Sequence, residues 1–135
     1  MCNPLNKKNL LNDRLLRSWV RCRRKAWLDE YGDKSLRVWT SHRTLQLDHQ
    51  HRCFKALLPQ KSGKGLIACK EGMASVVGLR MKKQISSEYS LEAHPPILQK
   101  IQGKSCWGNF EYRPIVARQG KQITREHRLL LGLYC

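Results

Sequence analysis

Leu10 to Asp33 reads LLNDRLLRSWVRCRRKAWLDEYGD, and the rest of the chain is organised around it. Leu11, Leu15, Trp19, Cys22 and Ala26 recur at three- and four-residue spacing, the period of a helix. Leu16, Val20, Trp27 and Tyr31 form a second row beside them. The apolar face is therefore wide enough to pack on a core. Arg14, Arg17, Arg21 and Arg24 recur at spacings of three, four and three, which puts four guanidinium groups on one side of the same predicted helix. Gly32 follows the last apolar residue and supplies the stop. A charged helix face is ordinarily a solvated one. Here only Asp13, Asp29 and Glu30 lie near the arginines, and guanidinium groups suit bidentate phosphate contacts, so the row is a candidate anion-binding face.

Composition points the same way. Lysine and arginine number 26 against 10 acids, a formal charge of +16. That imbalance costs self-repulsion in a small body and favours a polyanionic partner, with nucleic acid as the default. The chain has 135 residues, 41% of them apolar, which suits one globular domain over residues 10–135 behind a flexible arm at 1–9. A membrane is not the expected partner. The longest apolar run, Leu129 to Cys135, is only seven residues, and the N-terminal MCNPLNKKNLLND lacks the apolar core of an export signal. The six cysteines contain no C-x-x-C pair, so they read as reduced thiols in a cytoplasmic protein or as isolated ligands, not as a disulfide frame.

Taken in order, Thr40 or Ser41 can cap a second helix that runs to about Leu58 and is ended by Pro59. Gln60 to Gly65 is a basic, turn-rich loop. Leu66 to Cys69 is a short apolar run closed by a turn at Glu71–Gly72. Ala74–Met81 suits a strand, Gln84–Ala93 a ragged one, and Ile97–Ile101 a short strand or helical turn. Phe110–Arg118 alternates as a longer strand, with Pro114 marking an edge or bulge. Thr124 caps a final helix through REHRLLLGLYC. That helix stops on its apolar residues, which predicts more chain or a protein partner to cover it. Trp19, Trp27 and Trp39 are expected to pack the helices together. Trp107 packs in the core or, beside Gly108 and Lys104, stacks on a base.

Familiar catalytic signatures are missing: there is no Walker loop, H-E-x-x-H or nucleophile elbow. In HQHRC, residues two apart on a helix diverge, so His49, His51 and Cys53 cannot converge on one ion. His49 and Cys53 supply two ligands at most, and tetrahedral zinc needs a third protein ligand.

SWVRCRRKAWLDEYGD, the helix carrying HRTLQLDHQ, the strand-rich middle and YRPIVARQGKQITREHRLLLGLY together resemble the N-terminal part of RecB-like nucleases. These belong to the PD-(D/E)XK superfamily, which includes the CRISPR-associated exonucleases. The likeness runs from Leu10 onward and is most specific at CRRKAWL. It implies that Cys22 matches the first of four iron–sulfur cluster ligands, the other three lying only in a longer form of the chain. It also implies Mg²⁺ or Mn²⁺ chemistry built on a helix histidine, an acid after a strand, E-x-K and Q-x-x-x-Y. His49 stands for the histidine, but the acid position falls on Pro96. The E-x-K positions fall on Val116, Ala117 and Arg118, or, five residues earlier, on Glu111, Tyr112 and Arg113. Tyr134 matches the last motif, with Leu130 in place of its glutamine.

The expected fold is α/β: a partial restriction-endonuclease-like core with two N-terminal helices, a small mixed sheet and a C-terminal helix, truncated at its end. The expected function is binding of nucleic acid, DNA first, by a catalytically degenerate or fragmentary relative of these nucleases. The candidate catalytic set is His49, Glu111, Arg113, Arg118 and Tyr134. The candidate grip is Arg14, Arg17, Arg21, Arg24, Lys25, Lys61 and Lys64, helped by Arg23, Arg125 and Arg128. Two other classes stay open. One is a nuclease subunit completed by a partner or by more chain, and the other is a basic RNA- or ribosome-associated protein.

Overall fold

In a computed structural model, residues 9–118 and 120–135 are described. The arm of residues 1–8 lies outside them. The predicted first helix is interrupted twice. Asn9–Asn12 form a strand, β1; the helix α1 is Asp13–Arg21; and Arg23–Tyr31 form a separate helix, α2. The start is set by Asn12, whose side chain accepts the Leu15 N–H at 2.9 Å. The break is Cys22, extended at φ −163° and ψ 118°, which closes α1 through Ser18 O and opens α2 by accepting the Ala26 N–H. Ser18 and Ala26, each 6% exposed, are buried on either side of the break. Small side chains there let the two helices pack on one another instead of continuing as one rod.

A 3₁₀ turn at Lys34–Leu36 leads to α3, Ser41–Leu57, capped by Thr40 and followed by Pro59. Both limits fall where the sequence puts them. The basic loop is shorter than expected: Gly63–Lys64 form β2, and the apolar run folds as a helix, α4 (Gly65–Lys70). The strands that follow are β3 (Ser75–Val77), β4 (Met81–Gln84), β5 (Tyr89–Ala93), β6 (Ile97–Ile101) and β7 (Glu111–Ile115), ahead of the last helix, α5 (Arg125–Tyr134). The molecule is thus mixed α/β, but with two mixed sheets where one was expected. The first runs β1-β5-β4, with β1 parallel to β5. The second runs β2-β3-β6-β7, with β7 at its edge, where Pro114 withholds no needed donor.

His94–Pro95–Pro96 carries the chain from β5 of one sheet to β6 of the other, with Pro95 fully buried at the crossing. Two apolar clusters flank that crossing. One gathers Ala68, Cys69, Val76, Leu79 and Leu98; the other gathers Ala93, Leu130 and Tyr134, with Leu16 and Leu133 against them. Met81 packs on both clusters and joins them. Trp107 and Tyr112 pack on the first cluster, their rings edge to face at 5.8 Å, so Trp107 takes the core role. The helix tryptophans do the opposite of what was expected. Trp19, Trp27 and Trp39 are 43%, 58% and 65% exposed, while Ser18 and Ala26 are the residues that α1 and α2 bury.

Candidate nucleic-acid interface

A cavity of about 510 Å³ is lined by residues of α1, α2 and α3. α1 contributes Arg14, Arg17 and Arg21, α2 contributes Lys25, and α3 contributes Arg43, with Trp39 at the approach to α3. Five cationic side chains therefore face one space. Helical spacing accounts for the first three. The break at Cys22 explains why the row continues with Lys25 and not with Arg24, which does not line the cavity. Lys61 and Lys64 also lie off it; Lys64 sits on β2 of the second sheet. Arg23 leaves the row too, its guanidinium 5.5 Å over the Trp19 ring on the other side of α1.

The five cations are not equivalent. Arg21 is held bidentate by Glu126 of α5, at 2.7 and 2.9 Å, and this pairing raises its pKa. Lys25 is paired with Asp29, which Ser18 also reaches. Burial alone would raise the Asp29 pKa, but the bonds from Lys25 and Ser18 outweigh it and leave the carboxyl below its usual range. Among the described residues, Arg14 and Arg43 have no acidic partner, so their charge is available to a ligand. Arg17 is half-buried, and its Nε–H is shut off from water with no hydrogen-bond partner among the described residues.

Behind Arg17 runs a polar chain joining α1, α5 and the first sheet. Tyr134 donates to Asp13 Oδ2 at 3.0 Å, and Asp13 Oδ1 meets His94 Nδ1 at 3.3 Å. His94 Nε2 meets Glu92 Oε1 at 3.0 Å, and Arg80 donates to the other Glu92 oxygen at 2.9 Å. The Arg80 bond holds the Glu92 carboxyl below its ordinary value despite burial. Burial, with Asp13 beside it, pushes the Tyr134 hydroxyl up to about 12. Both nitrogens of His94 are taken by carboxylates, so the chain is structural and offers a metal no imidazole.

A second cavity of about 300 Å³ shares Arg17 and Gln50 with the first. Its lining brings together Pro96, Val116 and Ala117 with α3 residues that include His51 and Phe54. His49, the expected helix histidine, is not in it; its Nδ1 lies 3.8 Å from Cys53 Sγ instead. Glu111 is at the far end of β7 from Val116, about 16 Å away by strand rise. Its carboxylate accepts the Lys104 N–H at 3.2 Å. Arg113 donates to Gln99 and Arg118 to the Lys121 carbonyl, both at 2.7 Å. Of the five candidate catalytic residues, only Tyr134 joins the buried centre of the molecule.

A divalent cation needs oxygen ligands, and among the described residues no carboxylate lines the second cavity. The donor set does not fit Mg²⁺ or Mn²⁺. Cys22 is exposed, and among the described residues no group of three His, Cys, Asp or Glu could hold a metal. Among the described residues no helix is long and apolar enough to cross a membrane. Sequence reasoning missed Trp39 and Arg43 as cavity residues and Asp13 and His94 as the link behind them. Only Trp39 carried a local signal, as an aromatic directly before a helix cap. No family model, curated protein or solved structure matches the chain.

Proposed function

We propose that this is a nucleic-acid-binding protein, taking DNA first, with a degenerate restriction-endonuclease-like core of RecB-nuclease descent and no metal-dependent cleavage of its own. The observation that carries the reading is the cavity between α1 and α3, where Arg14, Arg17, Arg21, Lys25 and Arg43 converge in a chain of charge +16. Arginine clusters of this kind attract phosphates electrostatically and fix them by bidentate hydrogen bonds. The descent is supported by the second cavity. Pro96 and Val116, twenty residues apart in sequence, are positions the family motifs would fill with acids, and both line this one space. A nuclease subunit completed by a partner would have to receive its carboxylates from outside, at this same place.

The test is fluorescence anisotropy of the whole chain with a labelled single strand over a salt series. Neutralising Arg14 and Arg43 together should weaken binding and flatten the log–log salt slope by about 0.7, the share of one phosphate contact on a single strand. Arg24→Ala should change it far less. An unchanged slope in the double variant would sink the assignment of the cavity, and absence of binding at low salt would sink the function. Added Mg²⁺ or Mn²⁺ should produce no cleavage, with or without Glu111→Ala.

A further inference from the structure

We infer that the cavity between α1 and α3 is a site for one nucleotide unit with an unpaired base, its phosphate against Arg14, Arg17 and Arg43 and its base against the Trp39 ring. The inference deepens the nucleic-acid reading and rests on it for the phosphate half. The base half stands on Trp39. This indole is 65% exposed, yet it is not free to turn, because its Nε1–H donates to Thr44 Oγ1 at 2.7 Å. A large aromatic held in one orientation, mostly exposed and lining a cationic cavity, is placed to serve as a stacking platform.

Arg17 supplies the second, independent sign of a ligand. A buried Nε–H without a partner is unfavourable in the free protein, and the guanidinium that carries it lines both cavities. An anion entering between α1 and α3 gives that group something to turn towards. Gln50, on the α3 side, adds an amide group able to bond sugar or base edges. The space of about 510 Å³ falls within the range of small-ligand sites and is too small for a duplex to enter. In a duplex, moreover, each base face is covered by its neighbours, so only an unpaired or flipped base can stack on Trp39.

One phosphate–base chemistry has two sources here, a free nucleotide or a unit of a single strand. The experiment separates them using the whole chain, with adenosine 5′-monophosphate, ribose 5-phosphate, a labelled oligothymidine strand and a labelled duplex as probes. Trp39→Ala should cost about tenfold in affinity for the single strand and for the mononucleotide, in the range of one stacked base. Trp39→Phe should recover most of it. Ribose 5-phosphate and duplex should be bound equally well by wild type and Trp39→Ala. Unchanged thermal melting would confirm that the exposed side chain was removed without unfolding.

Equal losses on single strand and duplex, or no loss on either, would overturn the inference while leaving the nucleic-acid function standing. Binding of mononucleotide in a Trp39-dependent way, with no oligonucleotide bound, would keep the site and overturn the nucleic-acid function. No binding of any of the four probes would overturn both.

Discussion

Tyr134 shows how one residue ties the fold together. It is 5% exposed, packs with Ala93 and Leu130, and donates its proton to Asp13 at the start of α1. The sequence places it at the end of the last helix, but its partner stands 121 residues away and nothing local announces it. Because burial and Asp13 push its hydroxyl from 10.0 up to about 12, the folded state keeps this proton more tightly than the unfolded chain does. Its contribution is therefore full below about pH 10 and is lost as pH rises from about 10 to about 12. The loss amounts to about 2–3 kcal/mol, at ~1.4 per pH unit. Tyr134→Phe should be less stable than wild type at pH 8, by the ~1 kcal/mol of a hydrogen bond and the Asp13 oxygen left behind. Above pH 11 the difference should shrink or reverse. Urea melts of both proteins across pH 8–12 measure it, and parallel curves would contradict the proposed link.

At the scale of elements, packing decided what periodicity could not. The 3.6-residue pattern through Leu10–Asp33 holds for α1, while α2 buries only Ala26 and leaves Trp27, Leu28 and Tyr31 exposed. The pattern cannot disclose that Cys22 turns extended so that Ser18 and Ala26 become the seam between two helices. The same blindness hid β1. Leu10 and Leu11 look like the first helical turn, yet they pair in parallel with Ser90 and Leu91, eighty residues on. Ends governed by local chemistry were legible: Thr40 and Thr124 each cap the helix they were expected to cap, and Pro114 lies on an edge strand. α4 was illegible because six residues are too few to display a helical period. If the seam is what separates α1 from α2, a bulky side chain there must push the helices apart. Ser18→Leu should destabilise the fold by about 1–3 kcal/mol through overpacking and loss of the bond to Asp29. Ser18→Ala should cost less than half of that, and thermal melts of the two variants decide it. Near-identical melting would mean that the seam is loosely packed.

For the molecule as a whole, the distribution of acids matters more than their number. Asp13, Asp29, Glu92 and Glu126 are all engaged inside the fold, by Tyr134 and His94, by Lys25, by Arg80 and by Arg21 respectively. The few acids thus hold elements together and leave the cavity cations Arg14 and Arg43 uncompensated. The arginine row was legible because helix spacing is a local property. The neutralisation of Arg21 was not, since Glu126 reaches it from α5. Two opposing dependences on salt follow. A charge of +16 repels itself across so small a body, and that repulsion is screened over ~10 Å at 0.1 M salt. The exposed ion pairs are worth little and lose little when screened. Raising salt from about 0.05 to about 0.5 M should therefore stabilise the free protein by ~1 kcal/mol, seen as a melting temperature about 4 °C higher. Over the same range nucleic-acid binding should weaken by orders of magnitude. A melting temperature that falls with salt would mean that the ion pairs outweigh the repulsion, and that the cavity's charge is less exposed to a ligand than its geometry implies.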